Sequence, residues 1–347
     1  METPAQSVQH GKSMGIELSR VIAAFMIVCM HSMIAYEENG GQTVLGIQPY
    51  RFVGGIFLWG RVPFFMILSG YFAARSLTKP GMSNRRFLQT RLIGLGVPYL
   101  VWNSLALAMQ GFGDFLRVTH DDATAHHLKY YVSGIFGIGA IPADYPMWFV
   151  RDIIVVSCLA PLLLKFRLWL FVPAMALISF PAASMMGAEF GIPRPSSCGY
   201  FALGMLIQLL DVRRLGALFA SPAQGWILCM GLGCLSVFVK GVDLGAIGPL
   251  LGALSIVLLG EAIAGGCPRL ANLLSSASPS TFLLFAAHMP LINAIMVLVI
   301  KYGDMGNSQK LVFYCLLPIF LTVLLVIAHN QIRRFFPKLL FPLTGGR

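Results

Sequence analysis

Arg20 and His31 stand eleven residues apart in one apolar stretch, and their side chains suit the two halves of a group transfer. A guanidinium grips phosphate oxygens as a planar fork, and an imidazole exchanges a proton near neutral pH without large tuning. Eleven helical residues make three turns with about 20° left over, so both side chains share one face, roughly 16 Å apart along the axis. Ionisable groups inside a membrane helix are costly unless they face a cavity or a partner, which makes both candidates for a site. Other polar residues fall in or beside apolar stretches. Glu17, Ser69, Tyr71, Arg86, Arg91, Trp102 and Glu261 group with Arg20 towards one end; Arg61, Trp148, Arg151 and Asp152 group with His31 towards the other, and His288 lies nearer mid-span. Such a series has two explanations at this stage. It is either a proton-coupled transport path, or an enzyme whose donor on one side must reach an acceptor on the other.

The elements that must position these residues are membrane helices. Hydrophobic residues make up 57% of the 347 and charged residues 11%, whereas a soluble domain carries about 25% charged. Apolar runs of spanning length predict about ten transmembrane helices, over 15–36, 51–74, 88–110, 147–165, 167–186, 197–210, 223–240, 244–264, 279–300 and 310–332. The sixth is short. The chain is thus expected to be an all-α integral membrane protein: a segment 1–14, one polytopic domain 15–332 with a long loop over about 111–146, and a tail 333–347. Met1 to Lys12 is polar and lacks the apolar core of a cleavable leader, so the first span is expected to be retained. The 36 glycines suit close helix approach in lipid.

An even number of spans puts both termini on one side, and the basic residues say which. With the termini cytosolic, the inner segments hold fifteen: Lys12, Arg75, Lys79, Arg85, Arg86, Arg91, Lys165, Arg167, Arg213, Arg214, Arg269, Arg333, Arg334, Lys338 and Arg347. The outer segments hold seven: Arg51, Arg117, Lys129, Arg194, Lys240, Lys301 and Lys310. This asymmetry follows the positive-inside rule, and Arg20, Arg61 and Arg151 fall within spans. The net charge of +11 is therefore mostly topology. It implies no nucleic-acid partner, since no basic stripe interleaved with aromatics lies on a soluble module.

Other chemistries find little support. The seven cysteines are scattered without a CxxC or Cys/His spacing, and no metal site is expected. His126 and His127, beside Asp121 and Asp122 in the long loop, read as solvated surface. Gly134, Gly137 and Gly139 follow no predicted strand and make no dinucleotide fingerprint. Several candidates also have plain structural readings. Arg20 can snorkel to headgroups, Ser69 beside Gly70 suits helix packing, and Trp148 suits an interfacial aromatic belt.

The motifs taken in order resemble one family. Arg20-x10-His31 preceded by Glu17-Leu18 is similar to the first-helix motif of acyltransferase family 3, the bacterial membrane O-acyltransferases that modify surface sugars. Phe65 to Ser69-Gly70 resembles its second-helix Phe-x3-Ser-Gly, with Met66 where a further Phe is frequent. Arg86 to Arg91 followed by Pro98-Tyr99-Leu100-Val101-Trp102 resembles its basic loop and third helix. Trp148-Phe149-Val150-Arg151-Asp152 resembles its Trp-Phe-Leu-Arg-Asp, and Ser278-Pro279-Ser280-Thr281-Phe282 through His288-Met289-Pro290 resembles its late segment. The matches cover nearly the whole chain, without the soluble hydrolase-like domain fused to some members.

The resemblance implies a multi-pass enzyme of the bacterial inner membrane. It implies transfer of a short acyl group, acetyl first, from cytosolic acetyl-CoA to a hydroxyl of a surface polysaccharide or lipid-linked glycan. Arg20 and His31 are then expected to be catalytic, with Arg20, Glu17, Arg86, Arg91, Ser69 and Tyr71 at the donor. Arg61, Trp148, Arg151, Asp152 and His288 are expected at the acceptor or oxyanion. A small molecule or lipid as acceptor would need the same chemistry. Direct transfer with His31 as base is favoured, because no Ser or Cys beside a His is an obvious covalent nucleophile.

Overall fold

Apolar runs flanked by Gly and Pro become long helices joined by short turns. In the computed structural model, residues 4–43, 48–49, 60–116, 128–166, 192–210, 227, 231, 247–302 and 305–346 are described. The long helices are α1 (Pro4–Glu38), α2 (Arg61–Leu77), α3 (Asn84–Leu116), α5 (Met147–Lys165) and α6 (Pro195–Leu209), followed by α7 (Ile247–Gly266), α9 (Thr281–Tyr302) and α10 (Asn307–Phe335). Shorter ones are α4 (Leu128–Phe136), α8 (Pro268–Ala277) and α11 (Pro337–Thr344). A 3-10 turn at Ser278–Ser280 joins α8 to α9. No strand occurs among the described residues.

Among the described residues, six segments are long and apolar enough to cross a membrane: Met14–Glu38, Asn84–Gln110, Met147–Lys165, Gly248–Gly266, Pro268–Val299 and Asn307–Phe335. The expected spans 167–186 and, apart from residues 227 and 231, 223–240 lie outside the described residues, as do residues 51–59 of the second and the pair His126 and His127. α2 and α6 are described over 17 and 15 residues and pair with each other. A Cβ on Gly70 would overlap the Phe201 carbonyl, and one on Gly204 would overlap that of Ile67, so the two backbones touch at both glycines.

α1 crosses α7 in a similar way. Ser19 Oγ lies 2.9 Å from Gly15 O and 3.1 Å from Ile256 O, and the Glu261 carboxyl fills the space where a Gly15 side chain would stand. The main core gathers Ile27 and Val28 of α1, Leu95, Tyr99 and Trp102 of α3, Phe149 and Ile153 of α5, Phe285 of α9 and Leu321 of α10. At the far end of α1, Ser32 Oγ donates to Tyr314 O at 2.6 Å.

Two segments differ from a simple loop and tail. Residues 111–116 continue α3, and within the expected loop α4 forms before a turn at 137–146 that leads into α5. The segment after α10 folds back as α11. Trp102 Nε1 donates to Leu343 O at 2.9 Å, and Thr344 is buried. Gly345, at φ 72°, closes on the Gly94 carbonyl. That carbonyl is the one Pro98 leaves without its helical donor, because proline has no N–H to return to residue i−4. A side chain at position 345 would collide with it.

Candidate active site

α1 carries its two ionisable candidates on one side, but into different surroundings. Arg20 is half-buried and feels the Glu17 carboxylate one turn earlier. His31, three turns on, is only 8% exposed. Its Nδ1 lies 2.8 Å from Nε2 of His288 on α9, which is itself fully buried. The two rings lie nearly parallel, 5.0 Å between centroids and 22° apart. His288 Nδ1 lies 3.1 Å from the Leu284 carbonyl one turn below.

The third expected residue to arrive is Arg61. At the start of α2 its guanidinium contacts the Met30 sulfur, and it is near enough to His31 and Tyr145 to interact electrostatically with both. Tyr145, which sequence reasoning missed, presents its ring edge-on to His31 at 5.9 Å. It is 43% exposed, so this side of the histidine pair borders the surface of the bundle. Behind the pair, Phe285, Phe149 and Phe65 follow one another at centroid spacings of 5.6 and 5.9 Å, an apolar wall that excludes water. His31, His288, Arg61 and Tyr145 are therefore a proton-accepting imidazole, a buried neighbour, a cation and an aromatic cover. An imidazole and a fixed cation in a dry site can deprotonate a hydroxyl and stabilise an oxyanion.

Arg151 and Asp152 do not join that group. Arg151 donates from Nε and Nη2 to Asp152 Oδ1 at 3.2 and 3.0 Å, and from Nη1 to Gly137 O at 2.6 Å. Asp152 Oδ2 accepts from Ser197 Oγ at 2.8 Å and from the Arg194 amide at 3.2 Å. Their polar atoms are thus engaged in tying α5 to the turn before it and to the start of α6. Trp148 lies under Arg194, whose guanidinium carbon is 3.7 Å from the ring centroid. Arg194 entered the sequence reading only as a basic residue of an outer segment, and Ser197, Asn103 and Asp144 escaped it. Asn103 Oδ1 accepts from the Asp144 amide at 3.0 Å and so pins the turn that carries Tyr145. The Asp144 carboxyl is buried and finds no partner among the described residues, and burial alone pushes it well above the usual carboxylate range. A buried acid of this kind was unreadable because DYPMW carries no pattern that sets burial.

Towards the other end, Arg91 rests its guanidinium over Phe87 at 5.5 Å. It lines a cavity of about 200 Å³ with Ser76, Met82, Phe87, Thr90, Gly94 and Gly345. Arg86 is exposed, and its amide donates to Ser83 Oγ at 3.2 Å, capping α3. Ser69 and Tyr71 are half-buried on α2, either side of the Gly70 crossing. Glu17, Arg20 and Arg91 are thus kept apart from the histidine pair by the length of α1 and α3.

Comparison with known proteins bears on the chain as a whole. The model of the acyltransferase domain, family 3, matches residues 15–329. The succinoglycan biosynthesis protein ExoH of Rhizobium meliloti (strain 1021) is 25% identical over 310 residues, covering 82% of this chain and 79% of that protein. No solved structure matches. With the family model covering nearly every helix that builds the site, this multi-pass membrane protein belongs to the acyltransferase 3 family.

Proposed function

We propose that the protein transfers a short acyl group, acetyl first, from acyl-CoA to a hydroxyl of a polysaccharide or its lipid-linked precursor. The observation that carries this reading is the single helix α1 holding half-buried Arg20 and, about 16 Å further along the axis, His31 buried against His288 beside Arg61. The glycan class is supported by the relative named for succinoglycan biosynthesis. The protein sits in the bacterial inner membrane with both termini and the start of α3 cytosolic, ten spans in all, so the Arg20 end faces acyl-CoA.

Arg20, helped by Arg91 and Arg86, holds phosphate oxygens of the donor, a task for which the guanidinium fork is suited. The separation along α1 is comparable to an extended pantetheine arm, so the thioester arrives near His31. The acceptor enters past Tyr145. His31 takes the proton from its hydroxyl as the oxygen attacks the thioester carbon; Arg61 steadies the oxyanion; the C–S bond breaks, and His31 returns the proton to the thiolate. The products are the ester and free CoA. No metal takes part in these steps.

Membranes containing the protein, supplied with acetyl-CoA and the envelope glycan, test the reading. Thiol release that depends on acceptor, with acetyl ester appearing on the glycan, is expected. Flux driven by a pH gradient without any thiol release would establish a transporter instead, and ester on a lipid or small molecule alone would change the acceptor class.

A further inference from the structure

One hydrogen bond between two imidazoles leaves their protons undetermined, but a second bond to a carbonyl settles both. The Leu284 carbonyl 3.1 Å from His288 Nδ1 can only accept, so Nδ1 carries the hydrogen. A neutral imidazole has one N–H, which leaves His288 Nε2 with a lone pair. That lone pair meets His31 Nδ1 at 2.8 Å. His31 must then donate from Nδ1, and its own lone pair sits on Nε2. The opposite assignment needs His288 charged at both nitrogens. It would place a cation at 0% exposure, with the Arg61 guanidinium already acting on the partner ring, a burial that an imidazole avoids by staying neutral.

We infer that His288 is a positioning residue that fixes the tautomer and orientation of His31, so that His31 Nε2 is the atom that takes the acceptor proton. This inference rests on the acyl-transfer reading above. The series is acceptor hydroxyl, His31, His288, Leu284 carbonyl. It has the logic of a nucleophile, base and orienting third group, with a backbone-anchored neutral imidazole where a carboxylate more often stands. As His31 becomes imidazolium, its Nδ1–H bond to His288 turns charge-assisted and strengthens. The proton on Nε2 goes on to the departing thiolate, and none has to pass to His288.

Three groups from the packed elements face His31: His288 on α9 and Arg61 on α2 act on it electrostatically, and the Tyr145 ring from the turn before α5 packs edge-on against it. A hydrophobic residue of similar volume at 288 would preserve packing against Phe285, 6.3 Å away between ring centroids, yet release the tautomer.

Two variants of the full-length protein in lipid nanodiscs separate orientation from packing. His288→Leu is expected to lower kcat by about 10²-fold or more with the KM for acetyl-CoA unchanged. His288→Gln, whose Oε1 can accept from His31 Nδ1, should recover at least tenfold of that loss. Nitrogen-15 spectra of labelled histidines, assigned with His31→Gln, should show wild-type His31 protonated at Nδ1 and His288→Leu shifted towards Nε2. Wild-type kcat in folded His288→Leu, or a His31 ring protonated at Nε2 in the wild type, would overturn the inference. The wild-type spectrum decides the matter even if His288→Leu does not fold. Absence of acyl-CoA turnover by the wild type would instead sink the function, leaving the tautomer assignment to stand or fall on the spectrum.

Discussion

Asp152 on α5 and Ser197 on α6 meet at 2.8 Å, with the Arg194 amide on the same carboxylate oxygen and Arg151 on the other. This junction is where two helices and a turn are pinned, so its loss is expected to appear in folding before catalysis. Removing one partner of a buried ion pair costs about 3–5 kcal/mol, because the other charge is left unpaired. A lost hydrogen bond to a charged group costs about 1.5–3 kcal/mol. Asp152→Ala should therefore accumulate poorly, and Ser197→Ala should fold with a lower melting temperature. Size-exclusion profiles after a heat series compare the two; an Asp152→Ala protein as heat-resistant as wild type but inactive would return this pair to the acceptor site.

His31→Ala is expected to fold and bind donor yet lose about 10²–10⁴-fold in turnover, the usual contribution of a positioned acid or base. His31 sits three turns from Arg20, too far to touch donor phosphates. Turnover per folded molecule and acetyl-CoA binding, measured on the same preparation, check both halves of the statement. Wild-type turnover would show that another group is the base.

Arg20→Lys should raise the KM for acetyl-CoA by about tenfold or more despite the retained charge, since an ammonium cannot reproduce a forked contact. Arg20→Ala should be worse. Donor titration in membranes measures both, and equal KM values across the series would mean that the side chain only snorkels.

Asp144 gives a pH signature of the opposite sign to a paired carboxylate. Burial without a partner raises its folded-state value above the unfolded one, so between the two the folded chain binds a proton that the unfolded chain has released. Stability then falls as pH rises through that window, from the ordinary carboxylate range upward. Asp144→Asn, which keeps the shape and carries no charge, should melt later than wild type at pH 7 and show a flatter profile from pH 4 to 7. A melting temperature that rises with pH equally in both proteins would contradict this.

Much of the scaffold was legible because apolar run length is a one-dimensional property. Met14–Glu38 and Met147–Lys165 were bounded within a few residues that way. The pairing of Arg20 and His31 on one face followed from helical pitch alone. What pitch cannot supply is contact across the fold: His31 and His288 are separated by 257 positions, and nothing in either helix names the other. Tyr145 and Asn103 were missed for a related reason, since a turn held by one side chain to a backbone amide leaves no periodicity. α11 was read as tail because eight residues are too few to cross a membrane, although they are enough to pack on α3. Arg151 and Asp152 looked like ligand-binding charges, and only the positions of Gly137, Arg194 and Ser197 reveal that their partners lie within the protein.

The backbone contact of α2 with α6 at Gly70 and Gly204 has a bearing on traffic through the bilayer. Carbonyls of Phe201 and Ile67 lie where a methyl group would collide, so a hydrocarbon chain, wider than a methyl, has no slot there. The seam between α2 and α6 is closed to a lipid tail at these two positions. For a substrate that keeps its tail in the bilayer, the crossing of α2 with α6 at these two glycines offers no passage between the helices.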